Sequence, residues 1–149
     1  MISFRSVLPE LAKKETGWVQ VDPSPDVGEE AELPADDYLF VEFYCPDLAC
    51  DCRSVLVQVR AKHQPGKIFA SIIYGWEKES FYRKRMPKIP ELARGTVRCA
   101  LDVLNEQSEF CDEFLDLFRR LVRDEHYRLR LQRHYLMMRE ALARRGTKL

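Results

Sequence analysis

Apolar and polar positions follow a strand-like rhythm in the first half of the chain. Tyr38 to Tyr44 is aromatic and β-branched with Glu42 as its single polar residue, and it predicts a strand. Arg53 to Arg60 predicts a second, with Val55, Val57 and Val59 on one face and Leu56, Gln58 and Arg60 on the other. The connection from Cys45 to Cys52 is too short for a crossover helix, so the two strands are expected to pair antiparallel. Gln64-Pro65-Gly66-Lys67 reads as a turn, and Ile68 to Tyr74 as a third strand ended by Gly75. Upstream, Pro9 suits the first turn of a short helix, Gly17 ends it, and Trp18-Val19-Gln20-Val21 alternates as a short strand.

The rhythm becomes helical in the second half. Phe110, Phe114, Leu117, Phe118 and Leu121 recur at helical spacing after Ser108, an expected cap, with Glu109, Asp112 and Glu113 near the positive end. Asp124 is placed to cap a last helix on which Tyr127, Leu131, Tyr135, Met138 and Leu142 line one side. Arg144, Arg145 and Gly146 mark its stop. Between the halves the pattern is weaker. Trp76 to Arg85 is polar with aromatics, Met86 to Pro90 reads as an extended connector, and Thr96 to Leu104 fits a strand or a short helix equally. The expected class is α+β: an antiparallel three- to four-stranded sheet packed against a C-terminal helical hairpin.

Composition adds bounds. The 149 residues fit a single α+β domain over 1–149, with residues 22–37 as an acidic loop rich in Pro and Gly. No apolar run approaches the roughly 20 residues of a bilayer span, and MISFRSVLPELAKKE lacks the apolar core of a signal peptide. The expectation is a soluble cytoplasmic protein without a membrane partner. Net charge is zero, but acids gather before residue 38 while bases gather in 78–98 and 128–148. Complementarity within the molecule accounts for this more simply than an acidic partner does.

The chemistry concentrates at Cys45, Cys50 and Cys52. In a reducing compartment stable disulfides are uncommon, and the cysteine count of five is odd, so metal ligation or reactive thiols come first. Structural zinc takes four ligands and favours thiolate. Cys50 and Cys52 are two apart, so an extended turn directs both sulfurs one way, and Cys45 ends the incoming strand. Cys111, in the first turn of a helix, is the expected fourth ligand, with His63 as the alternative; Cys99, His126 and His134 are further candidates. Two other readings stand beside zinc. One is a metal-free thiol protein in which Cys50 and Cys52 are redox-active or merely buried. The other is a cysteine-dependent enzyme with a His base, although the chain carries no glycine-rich phosphate loop, HExxH or GxSxG, and a non-enzymatic role is favoured.

The string Glu42-Phe43-Tyr44-Cys45 to Cys50-Asp51-Cys52-Arg53, with Leu104-Asn105-Glu106-Gln107-Ser108 and Arg133-His134-Tyr135 further on, resembles a small group of bacterial proteins with no assigned function. The likeness spans 38–136 and implies a structural site without an activity. Cys50-Asp51-Cys52-Arg53-Ser54 also resembles the SEC-C zinc motif. That motif carries a later adjacent Cys-Cys or Cys-His pair, where this chain has Lys62-His63. Phe81-Tyr82-Arg83-Lys84-Arg85 interleaves aromatics with bases as a nucleic-acid surface does, yet a solvated segment near the sheet edge is the simpler reading. The expected role is therefore a zinc-stabilised domain that binds another macromolecule, a protein in preference to a nucleic acid.

Overall fold

The computed structural model describes residues 1–23 and 33–146. Six strands form one antiparallel sheet: β1 Ile2–Ser3, β2 Trp18–Val21, β3 Asp36–Tyr44, β4 Ser54–Ala61, β5 Gln64–Gly75 and β6 Ala100–Leu101. The helices are α1 Phe4–Val7, α2 Pro9–Glu15, α3 Glu79–Arg85, α4 Pro90–Arg98, α5 Cys111–Leu121 and α6 Glu125–Gly146. The class is α+β, as the sequence implies, but the sheet is wider than the three or four strands expected, because β1 and β6 are two-residue edges with no periodicity to reveal them.

The order β1-β3-β4-β5-β6 is a meander with an added margin, β2 sharing the outer side of β3 with β1. Tyr44 pairs with Ile2 and Leu39 with Trp18, so residues 40–42 have no strand partner on that side. The other side is continuous: Phe40 faces Val59 and Glu42 faces Val57. Because side chains alternate, Tyr38, Phe40, Glu42 and Tyr44 share a face with Val55, Val57, Val59 and Ala61. Helices α5 and α6 cover that face. Phe114 packs edge-on against Tyr38 with centroids 4.7 Å apart, Phe118 stacks with Phe40 at 6.1 Å, and Leu131, Tyr135 and Met138 on α6 are buried at helical spacing.

Several local expectations need correction. The turn between β4 and β5 is Lys62-His63, not 64–67; the residues between the pairs Ala61–Gln64 and Arg60–Ile68 form an irregular bulge within β5. Pro65 and Gly66 thus mark a bulge, another place where a broken ladder is tolerated. The second proline of the connector starts a helix: at the first position of α4 its missing N–H is one the helix does not use. Thr96 lies in α4, while Ala100–Leu101 is strand. The segment Glu79–Arg85 is helical. Asp36 and Asp37, assigned to the acidic loop by composition, open β3, and residues 24–32 of that loop lie outside the described residues. Ser108 is not the cap itself but lies two residues before it; its hydroxyl donates to the Phe69 carbonyl at 2.7 Å and accepts from the N–H of Phe110, the N-cap of α5, at 3.1 Å. Asp124 behaves as expected, accepting from the His126 N–H at 2.8 Å.

Candidate functional site

The cysteine turn lies where β3 hands over to β4. Cys45 follows the last residue of β3, and Cys50 and Cys52 precede Ser54. Asp47 shapes the loop, its carboxylate accepting from the Ala49 N–H at 2.9 Å and its carbonyl from the Cys50 N–H at 3.1 Å. Arg139 on α6 clamps it from outside, donating to the Cys50 carbonyl at 2.6 Å and the Leu48 carbonyl at 2.7 Å. The exit is fixed as well. Arg53 takes a left-handed backbone with φ 42°, its guanidinium grips Asp51 at 2.8 Å and Glu77 at 3.2 Å, and its carbonyl accepts from the Tyr82 hydroxyl at 2.7 Å. Tyr82 reaches that carbonyl by lying directly over Gly75, where a Cβ would come within 2.3 Å of its hydroxyl oxygen. Gly75 is there for close approach.

Held this way, the Sγ atoms of Cys45, Cys50 and Cys52 all lie within 4.8 Å of one another, each half-buried. Three thiolates around a tetrahedral zinc with bonds of ~2.3 Å stand roughly 3.8 Å apart, so the donor set fits the ion with little adjustment. The thiols also burden each other. Burial, then the neighbouring Cys52 and Cys45, pushes the Cys50 thiol up to about 11. At neutral pH it is a protonated thiol when no metal is present, which is poor chemistry for a nucleophile; a cation reverses that balance.

The expected fourth ligands are elsewhere. His63 is exposed at the opposite end of the hairpin, its Nδ1 2.9 Å from Asp36, and the eight-residue run of β3 between Asp36 and Tyr44 amounts to roughly 25 Å. Cys111 opens α5 and does not join the three sulfurs, nor does any other described Cys, His, Asp or Glu. Burial and the adjacent Asp112 push its thiol up. Cys99 is buried at the end of α4 with a left-handed φ of 62°, and burial pushes its thiol up to about 12. His126 sits near the start of α6, about 20 Å of helix before the Arg139 that clamps the turn.

His134 is part of something the sequence reading missed. It is fully buried, with Nδ1 2.7 Å from Glu42 Oε2 and Nε2 2.5 Å from Glu15 Oε2. Glu42 Oε2 also accepts from the Tyr44 hydroxyl at 2.8 Å, Arg133 grips Glu15 at 2.7 and 2.8 Å, and Phe4 stacks on the imidazole at 4.0 Å. The Arg133 hydrogen bonds, reinforced by His134, hold the Glu15 carboxyl at about 2, against burial, which acts the other way. With both ring nitrogens occupied by carboxylates, His134 has no free nitrogen to act as a base toward a cysteine. A signal existed: Glu42 is in phase with the inward Tyr38, Phe40 and Tyr44, and His134 is in phase with Leu131 and Met138.

Two of the three cations in the basic, aromatic string of α3, Arg83 and Arg85, are engaged within the molecule. Arg85 and Arg53 lie over the Phe81 ring at 3.6 and 4.7 Å, and Arg83 and Arg94 both pair with Glu79. No helix among the described residues is long and apolar enough to cross a membrane. No protein-family model, curated protein or solved structure matches this chain.

Proposed function

We infer that Cys45, Cys50 and Cys52 bind one zinc ion as thiolates, that the ion ties the end of β3 to the start of β4, and that the domain serves as a docking module for another protein. The single observation that carries this is the convergence of three sulfurs within 4.8 Å of one another. When bound, zinc would supply structural cross-linking and keep the thiols deprotonated. The chain's own part is to present the donors: Asp47 shapes the loop, Arg139 holds its two carbonyls, and the Arg53–Asp51 pair fixes its exit. The fourth position of a tetrahedral ion is left to a donor outside Cys111 and His63.

The docking role is supported by two exposed apolar residues, Leu48 in the turn and Leu136 on α6, the latter lining a groove with Asp51 and Arg53 of the turn. The internal pairing of Arg83 and Arg85 on α3 favours a protein over a nucleic acid as partner. The test is the metal content of untagged protein purified without chelator, together with a native thiol count. About one zinc per chain with three shielded thiols supports the reading. Absence of metal with freely reactive Cys50 and Cys52 replaces it with the thiol-protein reading.

A further inference from the structure

The gap in the sheet margin contains a second site, independent of the cysteines. Helices α1 and α2 carry the chain from β1 to β2 and arch over the unpaired stretch 40–42 of β3. Beneath the arch is a cavity of 150 Å³ whose lining includes Phe4, Trp18, Val41, Glu42, Arg5 and Lys13. A space of this size suits a molecule of about nine non-hydrogen atoms.

Glu42 is the informative member. Its side chain is 2 % exposed, and Oε2 is fully used by Tyr44 and His134. Its Oε1 has no protein partner among the described residues. Nor is that oxygen sealed: the described side-chain atoms buried without a partner are Arg60 Nε, Glu113 Oε2 and Arg130 Nε. Oε1 therefore keeps its accessibility through the cavity that Glu42 lines. A carboxylate oxygen so deep in protein calls for a donor. The rim has the opposite sign. Arg5 and Lys13 are exposed; Arg5 makes no ion pair among the described residues, and Lys13 has only Glu10 at 4.0 Å. A simple anion would meet Glu42 at the floor, and a simple cation would meet two positive charges at the mouth. A molecule with an ammonium at one end, an apolar body and a carboxylate satisfies both, and the rings of Phe4 and Trp18 suit that body and its cationic end.

We propose that this cavity binds a small zwitterion of amino-acid size, its ammonium on Glu42 Oε1, its body against Phe4, Trp18 and Val41, and its carboxylate toward Arg5 and Lys13. The test is calorimetric titration of the full chain, with chelator present so that zinc plays no part, using two matched series. One is L-leucine, leucinamide and 4-methylpentanoate; the other is 6-aminohexanoate, hexylamine and hexanoate. The expected result is that at least one zwitterion binds about tenfold or more tightly than both of its singly charged relatives. Glu42→Gln should abolish that binding. Because this change also disturbs the buried network, the deciding variant is Arg5→Ala with Lys13→Ala on the surface, in which the zwitterion should lose its advantage over the amine. The proposal is overturned if neither zwitterion binds at millimolar concentration, if an amine or acid binds as well as its zwitterion, or if the advantage survives in the double variant.

Discussion

The cysteine turn and the Glu42–His134–Glu15 network are two ways of placing polar groups inside one small protein. In the turn, the participants are within eight residues of each other, half-buried, and assembled by a loop that Asp47 shapes locally and that Arg139, Tyr135, Tyr82 and Glu77 hold from outside. In the network, Glu42 and His134 are 92 residues apart and His134 and Glu15 are 119 apart, and two of the three are almost wholly buried. The turn is a set of donors that a metal would complete. The network is complete as it stands at His134, since each ring nitrogen already has its carboxylate. One region presents three donors that could hold a metal, and the other is a condition of the fold.

Substitutions should separate the two by magnitude. His134→Ala leaves Glu15 and Glu42 facing each other across a buried gap and should cost about 3–5 kcal/mol in denaturant unfolding. Cys50→Ala in metal-free protein should cost about 1 kcal/mol or less, because it removes a half-buried thiol. Equal costs for the two would collapse the distinction. Zinc should add stability only through the turn. At a free zinc concentration about a hundredfold above its dissociation constant, stability should rise by ~2.7 kcal/mol. Cys45→Ser, Cys50→Ser or Cys52→Ser should erase that gain, whereas Cys111→Ser and His63→Ala should leave it intact. A gain lost with Cys111→Ser would show that the fourth donor comes from α5.

Acid should strike the network through Glu15. Glu15 has an ordinary value of 4.5 and is held at about 2 in the fold, so its contribution is fully present above about 4.5 and is lost as pH falls toward about 2. The denaturation midpoint should decline through that window, and Glu15→Gln should flatten the decline. A profile unchanged by that substitution would remove Glu15 from the account. The smallest effect is expected at the clamp behind the turn. Tyr82→Phe deletes the hydroxyl that joins the Arg53 carbonyl to the Glu77 N–H and should cost about 1 kcal/mol while leaving zinc stoichiometry unchanged.

The two regions also differ in how far the sequence discloses them. The strands β2, β3 and β4 and the helices α5 and α6 are legible because each is a period repeated over several residues. The cysteine turn is legible because its donors are neighbours. Neither expected fourth ligand joins the three sulfurs, and the reason is common to both. Spacing along the chain says nothing about which end of a hairpin a residue occupies, and His63 is at the wrong end while Cys111 caps no part of the turn. The network was present only as two anomalies of phase, Glu42 on the inward side of β3 and His134 on the inward side of α6. Neither is informative until the strand and the helix are known to face each other. Proline signals both a helix start and a break: Pro9 and Pro90 each begin a helix, but the neighbouring Pro87 makes 86–90 resemble an extended connector. The β4–β5 turn was displaced because Pro65 and Gly66 signal any interruption of a ladder, bulge and turn alike.

The shared margin of β3 has a consequence for how the chain assembles. The β3–β4–β5 meander joins partners close in sequence, so its loops close cheaply and it can form first. Both β1 and β2 must then dock on an existing strand, and Glu15 at the end of the intervening arch finds its imidazole only when α6 has arrived from 119 residues away. The beginning and the end of the chain thus meet late, across a finished hairpin. Weakening that meeting should accelerate unfolding more than it slows folding.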